Sequence, residues 1–227
     1  MTFGILGTGP VGRTLARRLA SLGHEVTMGT RDPAATLSRT EAGAWGTPSS
    51  AEWHAANSDI RLATFAEAAR GAEVLVNASS GAASLSVLEA AGADHLAGKV
   101  LLDIANPLDF SRGFPPSLSA CNTDSLGEQL QRAFPELRVV KTLNTVNADL
   151  MVNPRALAGG DHTMFVCGND PLAKATATRI LAEDFGWTDV IDLGDISQAR
   201  GTEMYLPLWV RLFGRLQTPA FNVKVVR

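Results

Sequence analysis

The chain has 227 residues, of which 45% are hydrophobic and 19% are charged, and its formal net charge is -3. This composition is typical of a soluble globular protein and argues against disorder. With 20 basic against 23 acidic residues, the chain offers no excess positive charge to a nucleic-acid backbone or an anionic membrane. We therefore expect no nucleic-acid partner and no membrane partner.

The N-terminal pattern, the shortness of the apolar runs and the cysteines lead us to expect a cytoplasmic protein. Gly7 and Gly9 interrupt the apolar N-terminus almost at once, so it does not resemble a signal peptide. The longest apolar runs are far shorter than the roughly 20 residues that span a bilayer. Cys121 and Cys167 stand far apart without metal-type spacing, which favours free thiols in a reducing compartment over a disulfide.

Short runs rich in Val, Ile and Leu alternate with helical patterns, which is typical of strand-helix units and a mostly parallel sheet. The predicted fold is α/β, Rossmann-like and doubly wound, with a small C-terminal α/β extension. The predicted strands cover residues 2–6, 25–29, 60–63, 73–78, 99–104, 137–143, 162–167 and 189–193.

Capping residues predict the helices between these strands. One helix covers residues 10–22, and another covers 171–185 with Asn169 or Asp170 as its N-cap. A third starts near Thr123, after a long loop over residues 106–125. Residues 32–58, with Trp45 and Trp53, are predicted to form an excursion of short helices.

The C-terminal segment 205–227 is predicted to be mostly helical, with a break or a new start at Pro207. Its apolar side chains are too numerous for an exposed face, so they are expected to form core or a dimer interface. These are Leu206, Leu208, Trp209, Leu212, Phe213 and Leu216.

The stretch GILGTGPVG, residues 4–12, combines a predicted strand, a glycine turn and a helix start. Gly7, Gly9 and Gly12 have the G-x-G-x-x-G spacing that allows a tight turn, close approach of a pyrophosphate and close packing of the helix on the sheet. The pyrophosphate would meet free amides and the positive end of the helix dipole. The predicted dinucleotide contacts here are Gly7, Thr8, Gly9, Pro10, Val11 and Gly12.

The end of the second predicted strand indicates which dinucleotide is bound. An Asp or Glu that receives the ribose hydroxyls is usual there, but this chain has Thr30 and Arg31. A guanidinium and a hydroxyl suit a 2′-phosphate, so NADP is favoured over NAD. If Asp32 pointed at the ribose instead, NAD would be tolerated. We expect Asp32 to cap the turn at Pro33, while a solvated Arg31 paired with Asp32 is the alternative.

Five segments together resemble one known family. They are GILGTGPVG, GTR, DIANPL (residues 103–108), KTLNTVNADLM (residues 141–151) and the terminal TPAFNVKVVR. They are similar to the NADP oxidoreductase, coenzyme F-420-dependent family over almost the whole chain. The resemblance implies an NADP-binding Rossmann domain, 1–147, a small C-terminal substrate or dimerisation domain, 148–227, packed on it, and a homodimer.

The resemblance also implies an activity, the transfer of a hydride between NADP(H) and a flavin or deazaflavin. Coenzyme F-420, FMN or FAD is then the second substrate. Asn144 and Asn147 stand where archaeal members tend to have His and Pro, and Ala35 stands where they often have Lys. Without that lysine, the 2′-phosphate should be held less tightly than in those members.

Further site residues follow from their positions at predicted strand ends and from the resemblance. Ala78, Ser79 and Ser80 are expected to line the cofactor, and Ala105, Asn106 and Pro107 to touch the nicotinamide ribose or close the pocket floor. The resemblance places Ala148 beside the nicotinamide. The expected substrate contacts are Asn144, Thr145, Val146, Pro219 and Phe221, with core packing an equal alternative for the last two.

No catalytic side chain and no metal site is predicted, because hydride transfer between two ring cofactors mainly requires alignment. The four histidines lack metal-ligand spacing. Asp103, inside an apolar strand, is expected to have a structural hydrogen-bonding role. Two other functions stay open: an NADP-dependent reductase of a small carbonyl or imine, for which Lys141 is the nearby proton-donor candidate, and a non-catalytic NADP-binding sensor.

Overall fold

An eight-stranded sheet forms the centre of the computed structural model, which describes residues 1–42 and 47–227. Trp45 therefore lies outside the described residues. The strands of the protein are β1 Thr2–Leu6, β2 Glu25–Thr30, β3 Arg61–Thr64, β4 Val74–Asn77, β5 Val100–Asp103, β6 Leu108–Asp109, β7 Ser117–Leu118, β8 Arg138–Thr142, β9 Met164–Gly168 and β10 Val190–Asp192. The large sheet has the strand order β10-β9-β8-β5-β4-β1-β2-β3, and a separate two-stranded ribbon pairs β6 with β7.

The sheet confirms the predicted fold class and all eight predicted strands, with ends that differ by no more than two residues. Neighbouring strands are parallel except at one place, where β9 runs antiparallel to β8, with Val166 opposite Thr142. Since β9 and β10 continue the sheet that begins with β1, residues on both sides of Asn147 share one sheet. A domain boundary after residue 147 stays a prediction.

Helices cover both faces of the sheet, as in a doubly wound fold. Along β8, Val140 packs into one apolar core and its neighbour Val139 into the other, because successive side chains of a strand point to opposite faces. The α-helices are α1 Pro10–Ser21, α2 Pro33–Leu37, α3 Ser50–Ala56, α4 Phe65–Gly71, α5 Ser84–Ala91, α6 Ala93–Leu96, α7 Leu126–Ala133, α8 Ala148–Val152, α9 Pro171–Arg179, α10 Ala199–Met204 and α11 Leu206–Leu216.

Most helix starts are where the capping residues predict them. Asp170 accepts a hydrogen bond from the Ala173 amide, 2.8 Å, and so caps α9, which continues into a π-helical turn over Ile180–Phe185. A new helix, α11, starts beside Pro207 as predicted. The short helices α2 and α3 lie within the predicted excursion.

Two details of the sequence prediction were wrong. Helix α7 begins at Leu126 rather than near Thr123, because the Ser125 side chain caps it by accepting from the Glu128 amide, 3.2 Å. The segment 106–125 is not a plain loop, since it contains β6 and β7. Such a two-residue pairing leaves no period in the sequence.

Candidate functional site

The site lies at the carboxyl edge of the sheet, where the chain order reverses between β1 and β4. In open α/β sheets this switch point opens a crevice for ligands. The glycine loop between β1 and α1 borders it on one side, and the loops after β4 and β5 border it on the other.

The glycine loop is tight for steric reasons. Gly7 has φ of +130°, and a Cβ there would lie 2.5 Å from the carbonyl oxygen of Ala78. A Cβ on Gly12 would lie 2.4 Å from the Gly7 carbonyl oxygen. Gly9, by contrast, faces open space, since a Cβ on it would have no atom of residues 1–42 or 47–227 within 4 Å. The loop is therefore closed on the protein side and open on the ligand side.

The N-terminus of α1 has unpaired donors suited to an anion. Gly9 is the N-cap, no side chain of the described residues bonds to the first-turn amides, and no acidic residue stands in the first turn. Among the described residues, side chains do cap six of the other α-helices, through Asp32, Ser49, Thr64, Ser125, Asn147 and Asp170. Helix α1 has 12 residues, so its open end carries the full partial charge of a helix terminus. These residues fit a dinucleotide pyrophosphate.

Arg31 at the end of β2 is exposed and, among the described residues, has no hydrogen bond or ion pair. Asp32 is engaged elsewhere, since it accepts a hydrogen bond from the Ala35 amide, 3.0 Å, and caps α2 as expected. Thr30 is 7% exposed, and its hydroxyl lies 2.8 Å from that of Thr36, which itself donates to the Asp32 carbonyl. The Thr30 proton therefore points inward, and Arg31 is the cationic donor available at this strand end.

A cavity of about 500 Å³ adjoins the glycine loop. Its size is in the range of sites that hold small molecules. Six predicted cofactor residues line it: Val11, Ala78, Ser79, Ser80, Ala105 and Asn106. The sequence did not predict the other lining residues, which are Gly81, Ala82, Ile104, Leu108, Asp109, Phe110 and Ser119. Those from 108 to 119 come from the β6–β7 ribbon.

Asp109 is the only titratable side chain among the described residues that line the cavity. The backbone amide of Ser111, at 2.8 Å, and its hydroxyl, at 3.0 Å, donate to the Asp109 carboxylate and lower its pKa. Asp109 is thus ionised at neutral pH and has no proton to give.

Behind the cavity wall lies a buried polar network. The Asn77 amide donates to Asp103, 2.8 Å, and to the Ser84 hydroxyl, 3.0 Å. Its oxygen accepts from the Ser79 hydroxyl, 2.6 Å. Asn77, Ser84 and Asp103 have no solvent exposure, while Ser79 reaches the cavity. The expected structural hydrogen-bonding role of Asp103 agrees with these contacts.

Lys141 completes this network from β8. Its ammonium lies 2.9 Å from Asp103 and 2.8 Å from Glu203, and it also donates to the Ala105 carbonyl. Burial alone would lower the pKa of Lys141, but the two carboxylates outweigh burial and raise it. Lys141 is thus a fixed, buried cation outside the cavity lining and does not suit the role of proton donor to a substrate.

Asn106 and Asn144, predicted to contact cofactor and substrate respectively, hold each other. The Asn144 amide donates to the Asn106 side-chain oxygen, and the Asn106 amide donates to the Asn144 carbonyl, both at 2.9 Å. Leu143, just before, has a left-handed backbone with φ of +59°. The loops after β5 and β8 are thereby joined beside the cavity.

The other predicted contacts have different surroundings. Thr145 and Val146 are 2% and 6% exposed, and Val146 belongs to the apolar core. Ala148 begins α8 and is half-buried, while Pro107 is buried. Neither Pro219 nor Phe221 lines the cavity. Phe221 packs on Trp209 of α11 at 5.2 Å between ring centroids, and both residues are half-buried.

Other kinds of site are not seen in residues 1–42 and 47–227. No group of three or more His, Cys, Asp or Glu side chains is placed to hold a metal ion. Within the same ranges, no helix has both the length and the apolarity needed to cross a membrane. Cys121 and Cys167 are both free thiols, the first exposed and the second buried.

Comparison with known proteins identifies one protein family and several similar proteins. The model of a family described as NADP oxidoreductase, coenzyme F420-dependent, matches residues 2–107. A crystal structure of a proposed F420-dependent NADP reductase from Arthrobacter sp. FB24 is 58% identical, with a TM-score of 0.94 and full coverage of both chains.

Two curated proteins are more distant. The F420-dependent NADP reductase of Methanothermobacter marburgensis is 28% identical over 211 residues, which are 91% of this chain and 89% of that protein. Metalloreductase STEAP3 of Rattus norvegicus is 32% identical over 211 residues, again 91% of this chain. The chain spans only 37% of the length of that metalloreductase.

Proposed function

We propose that this chain, which belongs to the NADP oxidoreductase, coenzyme F420-dependent family and is an NADP-dependent oxidoreductase, transfers a hydride between NADP(H) and a flavin or deazaflavin. NADP(H) is its cofactor. The nicotinamide supplies the hydride chemistry, and the protein binds the two rings, aligns them and excludes water.

The loop and β2 support the placement of NADP. The open amides of α1 would hold the pyrophosphate within Gly7, Thr8, Gly9, Pro10, Val11 and Gly12. Arg31 would hold the 2′-phosphate, and Thr30 would contribute through its backbone unless its bond to Thr36 opens. The nicotinamide half would then extend over β4 and β5, along Ala78, Ser79, Ser80, Ala105, Asn106 and Pro107, towards Ala148.

The composition of the cavity wall carries the proposal. A ring-to-ring hydride transfer needs no protein acid, and the described lining has none, since Asp109 is ionised. Reduction of a small carbonyl or imine needs a proton donor near the nicotinamide. Its sequence candidate, Lys141, is buried between Asp103 and Glu203. The lining therefore favours a ring cofactor as the second substrate.

Phe110 supports the same choice. It lines the cavity and its side chain is 57% exposed, so one ring face is available to stack on a flat partner. Asn144 is our proposed polar neighbour of that partner, with Thr145 and Val146 shaping the floor beneath it. Pro219 and Phe221 would reach the partner only if the C-terminal segment moved, and their substrate role stays a prediction.

We further propose a homodimer in the cytoplasm. On α11, Leu206 is buried while Leu208 and Leu216 are 54% and 51% exposed, so the helix presents apolar surface that a second copy could cover. The two free thiols suit a reducing compartment. Sedimentation of the wild type and of Leu208→Glu tests the dimer, with a monomer expected for the variant.

Cofactor choice can be tested by titrating NADPH and NADH into the wild type, Arg31→Ala and Arg61→Ala. Arg31→Ala should weaken NADPH binding about 10- to 100-fold, because hydrogen bonds to a charged group are lost, and should leave NADH binding unchanged. Arg61 is an exposed arginine at the amino end of β3, whereas Arg31 follows the carboxyl end of β2. Arg61→Ala is therefore the matched control. Equal wild-type affinities for NADPH and NADH would contradict the role of Arg31.

The acceptor is tested by following NADPH oxidation with FMN, FAD and coenzyme F420 in turn. We expect turnover with at least one of them, and Phe110→Ala should raise the KM for that acceptor without changing NADPH affinity. Failure of all three despite tight NADPH binding would move the function to a non-catalytic NADP-binding sensor or to a reductase of a small carbonyl or imine.

A further inference from the structure

We propose that Asn77 and Asp103 are positioning residues that fix Ser79 as a hydrogen-bond acceptor for the carboxamide amine of the nicotinamide. This inference rests on the proposed function, because it takes the cavity beside β4 and β5 as the nicotinamide site. It concerns the direction of each hydrogen bond in the network behind the wall.

Asp103 sets the donor and acceptor roles in this hydrogen-bond network. One of its oxygens accepts from Lys141, 2.9 Å, and the other accepts from the Asn77 amide, 2.8 Å, and the Ala105 amide, 3.3 Å. All three partners are donors, and Lys141 is a cation, so Asp103 is a carboxylate and can only accept. The charge is fully buried and fully paired.

The carboxylate fixes the orientation of Asn77. If the Asn77 amide were turned over, its oxygen would face the Asp103 oxygen and its amine would face the Ser79 backbone amide, which lies 3.3 Å from the present oxygen. Both contacts would then be repulsive. The Asn77 amine therefore faces Asp103, and its oxygen faces Ser79.

Asn77 in turn fixes the proton of Ser79. The Ser79 hydroxyl lies 2.6 Å from the Asn77 oxygen, which can only accept, so the hydroxyl donates to it. The remaining neighbours of that hydroxyl are the Ser84 hydroxyl, 3.1 Å, and the Ser80 carbonyl, 3.4 Å, and both are protein groups. Because Ser79 lines the cavity and its proton is donated to Asn77, its hydroxyl can only accept a hydrogen bond from a ligand there.

A hydrogen-bond acceptor in the cavity wall favours a ligand group that donates a hydrogen bond. The only N–H donor on the nicotinamide ring is its carboxamide amine, since the ring nitrogen carries the ribose. The two mononucleotide halves of a dinucleotide lie on either side of the switch point, so the nicotinamide is expected over β4, which Ser79 follows. The network therefore favours a carboxamide over a group of similar shape without N–H bonds.

The experiment compares the binding of NADP with that of its 3-acetylpyridine analogue, in which a methyl group replaces the carboxamide amine. The wild type should bind NADP about 3- to 10-fold more tightly than the analogue, the value of one neutral hydrogen bond. Ser79→Ala should bring this ratio close to one, and Ser79→Thr, which keeps the hydroxyl, should restore it. The control is Ser86→Ala, an exposed serine outside the cavity lining whose hydroxyl bonds to its own helix.

Asn77→Leu tests the positioning role. This substitution frees the Ser79 hydroxyl to rotate, so the ratio of the affinities for NADP and its analogue should fall. The preference for NADP over NAD, which depends on the 2′-phosphate, should be kept. A merely structural defect would weaken both. If this variant does not fold, the comparison of Ser79→Ala with Ser79→Thr tests the inference by itself. Equal wild-type affinity for NADP and the analogue, or an unchanged ratio in Ser79→Ala, would overturn the inference. Absence of any NADP binding to the wild type would instead refute the proposed function on which it rests.

Discussion

The Lys141 ammonium lies 2.8 Å from a carboxylate oxygen of Glu203, and both side chains are buried, which joins α10 to the middle of the sheet. Glu203 also accepts from the amides of Leu126 and Gly127, 2.8 and 3.1 Å, at the start of α7. One carboxylate thus satisfies donors from a strand and a helix terminus.

Lys141→Met should reduce the free energy of unfolding by about 3 to 5 kcal/mol, because it leaves two carboxylates buried without their cation. The pKa of Lys141 is raised, so its stabilisation is complete below the unfolded value of ~10.4 and is lost only as the pH rises through the folded value. Urea unfolding at pH 7 therefore measures the whole effect. Arg132→Met, which removes an exposed cation, is the control and should change stability much less. Equal losses in the two variants would contradict the argument.

Gly9→Ala and Gly12→Ala should separate binding from folding. A methyl group at Gly12 meets the Gly7 carbonyl oxygen, so this variant should lose about 1 to 3 kcal/mol of stability. A methyl group at Gly9 meets no atom of the part of the chain that the structure describes, so the fold should keep its stability while NADPH binds less tightly. Thermal unfolding and NADPH titration check both variants. Unchanged NADPH affinity in Gly9→Ala would place the pyrophosphate elsewhere.

The two cysteines should differ in reactivity. Burial raises the pKa of the Cys167 thiol to about 12, so almost no thiolate exists at pH 8, whereas Cys121 is exposed. A chromogenic disulfide reagent should therefore detect one thiol per native chain and two after denaturation. Cys121→Ser should abolish the native reaction, and a fast-reacting thiol in that variant would show that Cys167 is accessible.

Asp124 should titrate with a pKa of about 2, chiefly because Arg132 donates two hydrogen bonds to its carboxylate, each 2.9 Å. The pKa of Asp124 in the folded state is lower than its value of ~3.9 in the unfolded chain. The stabilisation from its carboxylate is therefore complete above about pH 3.9 and is lost as the pH falls through about 2. Carboxyl NMR titration should show a higher Asp124 pKa in Arg132→Met. Arg211→Met removes an arginine that donates to the backbone carbonyl of Pro207, and it should leave the Asp124 pKa unchanged.

The local sequence determined where the eight strands lie along the chain and where the glycine loop of the site is. Apolar runs set the eight strands, because buried strands must be apolar, and the glycine spacing set the loop, because only glycine fits at Gly7 and Gly12. Asp32 could also be predicted as a helix cap, since a cap acts within its own few residues.

Only the tertiary structure decided which side chains meet across the sheet. Lys141 and Glu203 are far apart in the sequence, and Asn77 meets Asp103 from a neighbouring strand. The antiparallel addition of β9 and the short β6–β7 ribbon leave no periodic signal. Sequence patterns record the burial and backbone conformation of each residue, but the direction of a hydrogen bond at Ser79 depends on partners that the fold alone brings within hydrogen-bonding distance.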